Sequence, residues 1–275
     1  MKLSLPRLPI PNLLGTKPPR PPREFARPVR GQELIRFEHL DKAFGDRVIF
    51  EDLSLAVNEG ETLTVIGGSG TGKSVLLKCL VGLIAPDAGT VIFENNDLTG
   101  FNEEDYRSVR TRVAMVFQGS ALFDSMTVGE NVAYPIHEHL PHLSAEEVRE
   151  RVRAKLKLVN LPDSEDVLPS ELSGGMRKRV GLARAIATDP DVILWDEPTS
   201  GLDPVSTVMI NDLICQMHKE LNCTSVVVTH DMQSAFRISD RIAMLSRHTI
   251  IEVGTVAQMK ASTNSDVRAF FDAQA

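Results

Sequence analysis

The chain is 275 residues long, 42% hydrophobic, and carries a formal net charge of −7, which suits one globular domain or one domain bearing a smaller subdomain. Charged, Gly or Pro residues interrupt every apolar stretch before it reaches the ~18 residues of a membrane span, so any membrane role requires a separate partner. Cys79, Cys215 and Cys223 are too scattered for a disulfide framework or a zinc site, which suits a reducing compartment, and the acidic balance argues against a duplex-DNA binder with its broad basic face.

Residues 1–30 carry seven Lys/Arg against the single acid Glu24, and eight of the sixteen prolines. The segment 1–33 therefore reads as a Pro-rich basic tail, extended or disordered. A solvated linker is the simplest role for it, and attraction to anionic lipid headgroups is the alternative. It lacks the continuous apolar core and small-residue cleavage site of a secretory signal.

From Leu34 the pattern changes to alternating apolar stretches, Leu34–Leu40 and Val48–Val57, separated by a turn at Gly45–Asp46, which predicts antiparallel strands. A buried strand over Thr62–Ile66 follows, then a glycine-rich loop and an apolar helix from Lys73 to about Ile84, stopped at Ala85-Pro86. The short aliphatic runs Arg112–Phe117, Val192–Trp195, Ser225–Thr229 and Arg241–Leu245 read as strands of a covered parallel sheet. Between Phe117 and Asp191 the pattern is helical. Ser144 caps a helix that keeps Val148, Val152, Leu156 and Val159 on one face. Residues 120–190 are therefore expected to form a helical insertion in a two-layer α/β body.

Gly67-Gly68-Ser69-Gly70-Thr71-Gly72-Lys73-Ser74 matches the P-loop pattern between a strand and a helix, the context that pattern needs. Its backbone amides and the helix dipole suit the phosphates of ATP; Lys73 is expected on the β- and γ-phosphates and the Ser74 hydroxyl on Mg²⁺. The strand Val192–Trp195 delivers Asp196 and Glu197 at its C-terminal end, where such sheets bind ligands. Asp196 is placed to hold Mg²⁺ through water, and Glu197 to polarise the attacking water. Ser173-Gly174-Gly175, opening the helix Met176–Ala187, makes a second anion-binding terminus. One chain already has its P-loop, so this terminus is idle unless it faces a nucleotide held by a second copy.

These motifs, in this order over about residues 34–255, resemble the ABC-transporter nucleotide-binding domain. The resemblance implies an α/β P-loop NTPase with a RecA-like, mostly parallel core sheet, an antiparallel β subdomain and a helical subdomain. It also implies that Phe44 stacks on adenine, that Gln118 senses Mg²⁺, that Ser200-Gly201-Leu202-Asp203 is a dimer contact, and that His230 is the γ-phosphate switch. Phe44, Val75 and Met176 depart from the commoner Tyr, Thr and Gln, and none of these changes removes a required group. Val75 and Met176, together with Gly67–Leu77, Ala121–Ser125 and Leu172–Arg184, resemble the Mla/Mce-associated ATPases. That branch implies phospholipid transport through integral membrane permease subunits, an Mce-type substrate-binding subunit, and a peripheral location on the cytoplasmic face of the inner membrane. Two alternatives stand beside it: an importer ATPase for another small solute such as an amino acid, and a non-transport ABC ATPase acting on nucleic acid. The second lacks sequence support, since no duplicated ATPase unit, coiled-coil or zinc insertion is present, and no nucleic-acid partner is expected.

His137, His139 and His142 have a spacing that permits metal ligation, but no Cys or carboxylate pattern completes a site, so a solvated Pro-containing loop is expected. Residues 256–275 read as a helical extension in which Ala269-Phe270-Phe271 serves either core packing or a neighbouring subunit.

Overall fold

A computed structural model describes residues 29–221 and 223–273; most of the expected N-terminal tail lies outside the described residues. Two sheets and a group of helices organise the chain. Strands β1 (Glu33–Phe44) and β2 (Arg47–Asn58) form the expected hairpin, with Phe44 opposite Arg47 across the two-residue turn. Strands β4 (Ala88–Phe93) and β5 (Asn96–Asp97) complete a four-stranded antiparallel sheet in the order β2-β1-β4-β5.

The second sheet contains β3 (Thr62–Ile66), β6 (Val113–Val116), β7 (Val192–Asp196), β8 (Thr224–Thr229), β9 (Arg241–Ser246) and β10 (Thr249–Thr255), in the order β10-β9-β3-β8-β7-β6. All neighbours are parallel except the edge strand β10. Every residue of β3, β7 and β8 is buried, which explains why these strands read as mostly aliphatic and β-branched runs.

Helix α1 (Lys73–Leu80) is shorter than expected. Gly82, at φ +68°, ends it: the Gly82 amide bonds to Cys79 O at 3.2 Å and the Leu83 amide to Lys78 O at 2.9 Å, a Schellman closure that stops the helix before Pro86 is reached. Helix α2 (Glu103–Arg112) starts from a capping box between Asn102 and Asp105. Between β6 and β7 lie α3 (Val128–His139), α4 (Ala145–Leu158) and α5 (Gly174–Ala185), with no strand among the described residues. Val148, Val152, Leu156 and Val159 are buried with Val132, Ile136 and Val180 in the core these helices share with one face of the sheet. His137 and His139 fall in the last turn of α3, just after an internal Pro135. The expected loop is therefore helix at two of its three histidines, and no three metal-binding side chains gather among the described residues.

After β7 come α6 (Pro204–Leu221), α7 (Met232–Ile238), α8 (Val256–Lys260) and α9 (Ser265–Asp272). Helix α9 buries Val267, and Phe271 meets Phe236 edge-to-face at 5.6 Å. Within the chain, then, the terminal aromatics serve packing. None of the described helices is long and apolar enough to cross a membrane.

Candidate active site

Three parallel strands end at one cleft. The loop Gly67–Gly72 leaves β3 and enters α1, Asp196 and Glu197 close β7, and His230 follows β8. The cleft measures about 430 Å³ and is lined by Phe44, Ser69, Lys73, Gln118, Glu197 and His230, among others. Gly72, the residue before α1, sits at φ +107°, and a Cβ there would lie 2.5 Å from Ile49 Cγ2. Glycine is required at that point for the loop to pass under β2.

Lys73 is buried beneath this loop. Its ammonium donates to Gly67 O and Gly68 O, both at 2.9 Å, and lies 3.6 Å from Glu197 Oε1. Burial pulls the ammonium below its ordinary pKa, and the Glu197 carboxylate opposes the shift. Ser74 Oγ donates to Asp196 Oδ1 at 2.5 Å, so a hydroxyl and a carboxylate from two elements share one point. That oxygen pair fits a Mg²⁺ ion, which takes hard oxygen ligands, keeps several waters and needs few protein groups.

Glu197 occupies the left-handed region at φ +49° although it is not glycine, a conformation that costs of order 1–3 kcal/mol and is held by its surroundings. The Glu197 amide donates to Val228 O at 2.9 Å. The carboxylate is thereby aimed between Lys73 and His230, whose Nδ1 is 2.9 Å from Glu197 Oε2. A buried carboxylate so placed, with an imidazole on its other oxygen, can accept a proton from water at the mouth of the cleft.

Gln118, two residues past β6, lines the same cleft and donates from Nε2 to Ser200 Oγ at 3.3 Å. Phe44, at the end of β1, is 49% exposed and presents its ring to the cleft, with Lys42 Nζ 5.2 Å from the ring centroid. Arg47, which sequence reasoning missed, also lines the cleft and donates to Gly70 O at 2.9 Å. The two-residue turn that pairs it with Phe44 was the available signal. Ser200, Gly201, Leu202 and Asp203 connect β7 to α6. Asp203 caps α6, accepting from the amides of Val205 and Ser206, both at 3.0 Å, and the Ser206 hydroxyl holds its carboxyl below the usual range.

Ser173, Gly174 and Gly175 do not line this cleft. They open α5 elsewhere on the surface, where the Ser173 hydroxyl accepts from the Met176 amide at 3.2 Å. A second cleft of about 420 Å³ lies between the end of β6 and α3. It is lined by Leu83, Phe117, Phe123, Tyr134 and Arg184 among others, and Leu83, Phe123 and Tyr134 are themselves exposed.

The family model for ABC transporters matches residues 50–200, more than half of the chain and the segment that carries the P-loop, α5 and β7. The chain belongs to the ABC transporter family. It is 40% identical over 239 residues to the intermembrane phospholipid transport system ATP-binding protein MlaF of Haemophilus influenzae, covering 87% of this chain and 90% of that protein. It is equally 40% identical over 238 residues to the "Probable ribonucleotide transport ATP-binding protein mkl" of Mycobacterium tuberculosis, covering 86% of this chain and 66% of that one. Among solved structures it superposes on cbiO1 from Clostridium perfringens, part of the ABC transporter complex cbiONQ, with a TM-score of 0.77 at 27% identity, covering 84% of this chain and 92% of that one. The dimeric cassette MJ0796 bound to ADP and Pi gives 0.75 at 31% identity, covering 81% and 99%. This chain is accordingly an ABC-type ATPase, with the nucleotide-binding fold and transport-coupled ATP hydrolysis of its family.

Proposed function

We propose that the chain powers lipid transport, with phospholipid as the cargo, from the cytoplasmic face of an inner membrane, and that it works as a head-to-tail pair of copies. The observation that carries the catalytic part is the convergence of Lys73, Ser74, Asp196, Glu197 and His230 on one cleft while a second amide-bearing terminus, Ser173–Gly175, stands outside it. In this reading Gly67–Gly72 and Lys73 hold the phosphates of ATP, Phe44 carries the adenine ring, and Ser173–Gly175 of the second copy closes over the nucleotide. Ser74, Gln118 and, through water, Asp196 hold Mg²⁺, which when bound neutralises phosphate charge. Glu197 takes the proton of the attacking water, His230 fixes the Glu197 carboxylate and reaches the γ-phosphate, and Ser200–Asp203 meet the partner. The division into a tail 1–33, an ATPase body 34–255 with helical residues of about 120–190, and an extension 256–275 belongs to the same reading.

The exposed apolar side chains of the cleft beside Gln118 support a role as the seat of a helix from an integral permease, so that closure of the pair pushes on the membrane subunit. The likeness to the intermembrane phospholipid transport protein MlaF supports phospholipid as cargo; an Mce-type substrate-binding subunit in the complex belongs to the same proposal. The equal likeness to mkl favours a different cargo, a ribonucleotide, as the second reading. Purification of the full chain with its partners from detergent-solubilised membranes, followed by identification of bound molecules, separates the two. Copurifying permease with phospholipid is the expected result; a ribonucleotide held by the membrane subunit, as distinct from ATP or ADP in the Lys73 cleft, or a permease for small solutes, overturns the lipid assignment.

A further inference from the structure

Helix α5 does more than present Ser173–Gly175 to the outside. One turn into it, the Lys178 ammonium reaches the loop that follows β7 and donates to three backbone carbonyls: Glu197 O at 3.3 Å, Pro198 O at 2.9 Å and Ser200 O at 2.7 Å. An ammonium has three donors and no acceptor, so the loop offers one carbonyl to each. Half-burial lowers the Lys178 pKa and the Glu197 carboxylate opposes the shift. A buried charge of this kind is tolerated where its hydrogen bonds are met.

The gripped segment is the one whose conformation decides whether the cleft works. Glu197 sits at φ +49°, against the preference of any side-chain-bearing residue, and contacts beyond the residue itself must hold it there. Ser200, at the far end of the grip, accepts from Gln118. The same helix also packs closely on the first turn of α6: a Cβ on Gly175 would be 3.0 Å from Ser206 Oγ, and that hydroxyl donates to Asp203, the last residue of the loop, at 2.6 Å. Lys178 thus ties α5 to the Glu197 loop, and the N-terminus of α5 abuts the turn that Asp203 caps, within a single chain.

We propose that Lys178 is a positioning residue for hydrolysis: its ammonium holds the Glu197–Ser200 backbone so that seating of the partner's nucleotide on Ser173–Gly175 sets the Glu197 carboxylate of the same chain. This rests on the reading of Glu197 as the base and of Ser173–Gly175 as the partner-facing half-site. It adds a specific route by which the two sites of a pair inform each other, since a shift of α5 moves three carbonyls of the catalytic loop.

The test is an ATP titration of ATPase rate on the full-length chain, with the thermal midpoint measured alongside. Lys178→Met keeps an unbranched apolar stem and removes the ammonium with all three hydrogen bonds. It is expected to lower kcat by ~10–100-fold, the scale of a small misplacement of a reacting group, to leave KM for ATP unchanged, and to reduce the Hill coefficient. Lys178→Arg keeps several donors and recovers much of kcat. A lysine that merely braces the fold would lower the thermal midpoint and leave the kcat of the folded protein at wild type, which overturns the proposal. Should Lys178→Met not fold, Lys178→Gln, whose amide can serve at most two of the carbonyls, carries the same expectation, and a wild-type kcat in it is the contrary result. Glu197→Gln run in parallel separates the causes. If it hydrolyses normally, the base assignment is wrong and the Lys178 role falls with it; if it is inactive while Lys178→Met is normal, the Lys178 role alone falls.

Discussion

Helices α1 and α5 both begin with free backbone amides next to glycine, yet they are built to opposite specifications. At α1 the residues around the terminus are accounted for inside the chain: Gly72 is pressed against Ile49, Lys73 is buried, and Ser74 meets Asp196. At α5 the terminus is exposed, and a Cβ on Gly174 would meet nothing nearer than Arg177 Nη2 at 4.0 Å. Packing demands glycine at 72 and does not demand it at 174. The difference teaches that α1 is a finished pocket wall, while α5 leaves open the space that the proposed partner-held nucleotide would fill.

The largest expected effects fall on the α1 side. Glu197→Gln should lower turnover by ~10²–10⁴-fold, the usual worth of a positioned proton acceptor, while ATP binding persists and nucleotide-bound pairs accumulate in size-exclusion runs. Lys73→Ala should remove a phosphate donor and with it ~10²–10³-fold or more of turnover, and in addition weaken ATP binding. Unchanged hydrolysis in either variant breaks the assignment of this cleft.

The comparison itself is tested by mixing. Ser173→Glu puts a carboxylate at the α5 terminus, where it opposes an incoming phosphate, and should be inactive as a pure species although it binds ATP. Mixed with Lys73→Ala, it forms pairs in which one composite site has an intact Lys73 and an intact Ser173. Recovery of activity on mixing two inactive proteins is the expected outcome of a steady-state assay. A Ser173→Glu variant with full activity alone would show that α1 and its neighbours are sufficient.

A subtler separation comes from the two glycines. Gly72→Ala forces a side chain into Ile49 at φ +107° and should lower both the thermal midpoint and ATP binding. Gly174→Ala has room and should leave the midpoint of the chain unchanged or slightly raised, because alanine is the better helix former, yet reduce turnover and pairing. If Gly174→Ala hydrolyses ATP normally, the space above α5 is not filled by a nucleotide.

The same contrast explains what the sequence could disclose. The α1 pocket was legible because its chemistry is local: a loop of fixed glycine spacing, and a strand ending in two carboxylates. The buried strands β3, β7 and β8 were legible because burial on both faces leaves a short run of mostly aliphatic and β-branched residues. Strand β4 was not, since Gly89 breaks its alternation at the point where the strand runs against the carbonyls of Glu38 and His39. Helix α2 buries only Ser108 and Val109, too few inward residues to set a period, and its capping box at Asn102 was the one usable mark. The tripod from Lys178 and the cage around buried Asn131, which bonds Phe123, Met126 and Thr127 through their backbone, join polar side chains to carbonyls distant or featureless in sequence. No residue type announces a carbonyl partner, so such contacts become visible only once the chain is folded.

The smallest effect sharpens the comparison at the far end of the α1 cleft. Phe44 is half exposed at the end of β1, too open for a core role, and its neighbour across the turn, Arg47, already reaches the loop at Gly70. Stacking of a base on an aromatic ring is worth ~1–3 kcal/mol by alanine substitution and requires only a π-face. Phe44→Ala should therefore raise the Kd for ATP, measured by calorimetry, by roughly 5–150-fold on that scale, with little change in the thermal midpoint. Phe44→Tyr should bind as wild type, since the ring is kept and the hydroxyl can point to solvent. Because nothing at α5 resembles this ring, the loss should appear equally in the Ser173→Glu background, where pairing is blocked. A Phe44→Ala defect that vanished in that background would move Phe44 from the pocket of its own chain to the contact between copies.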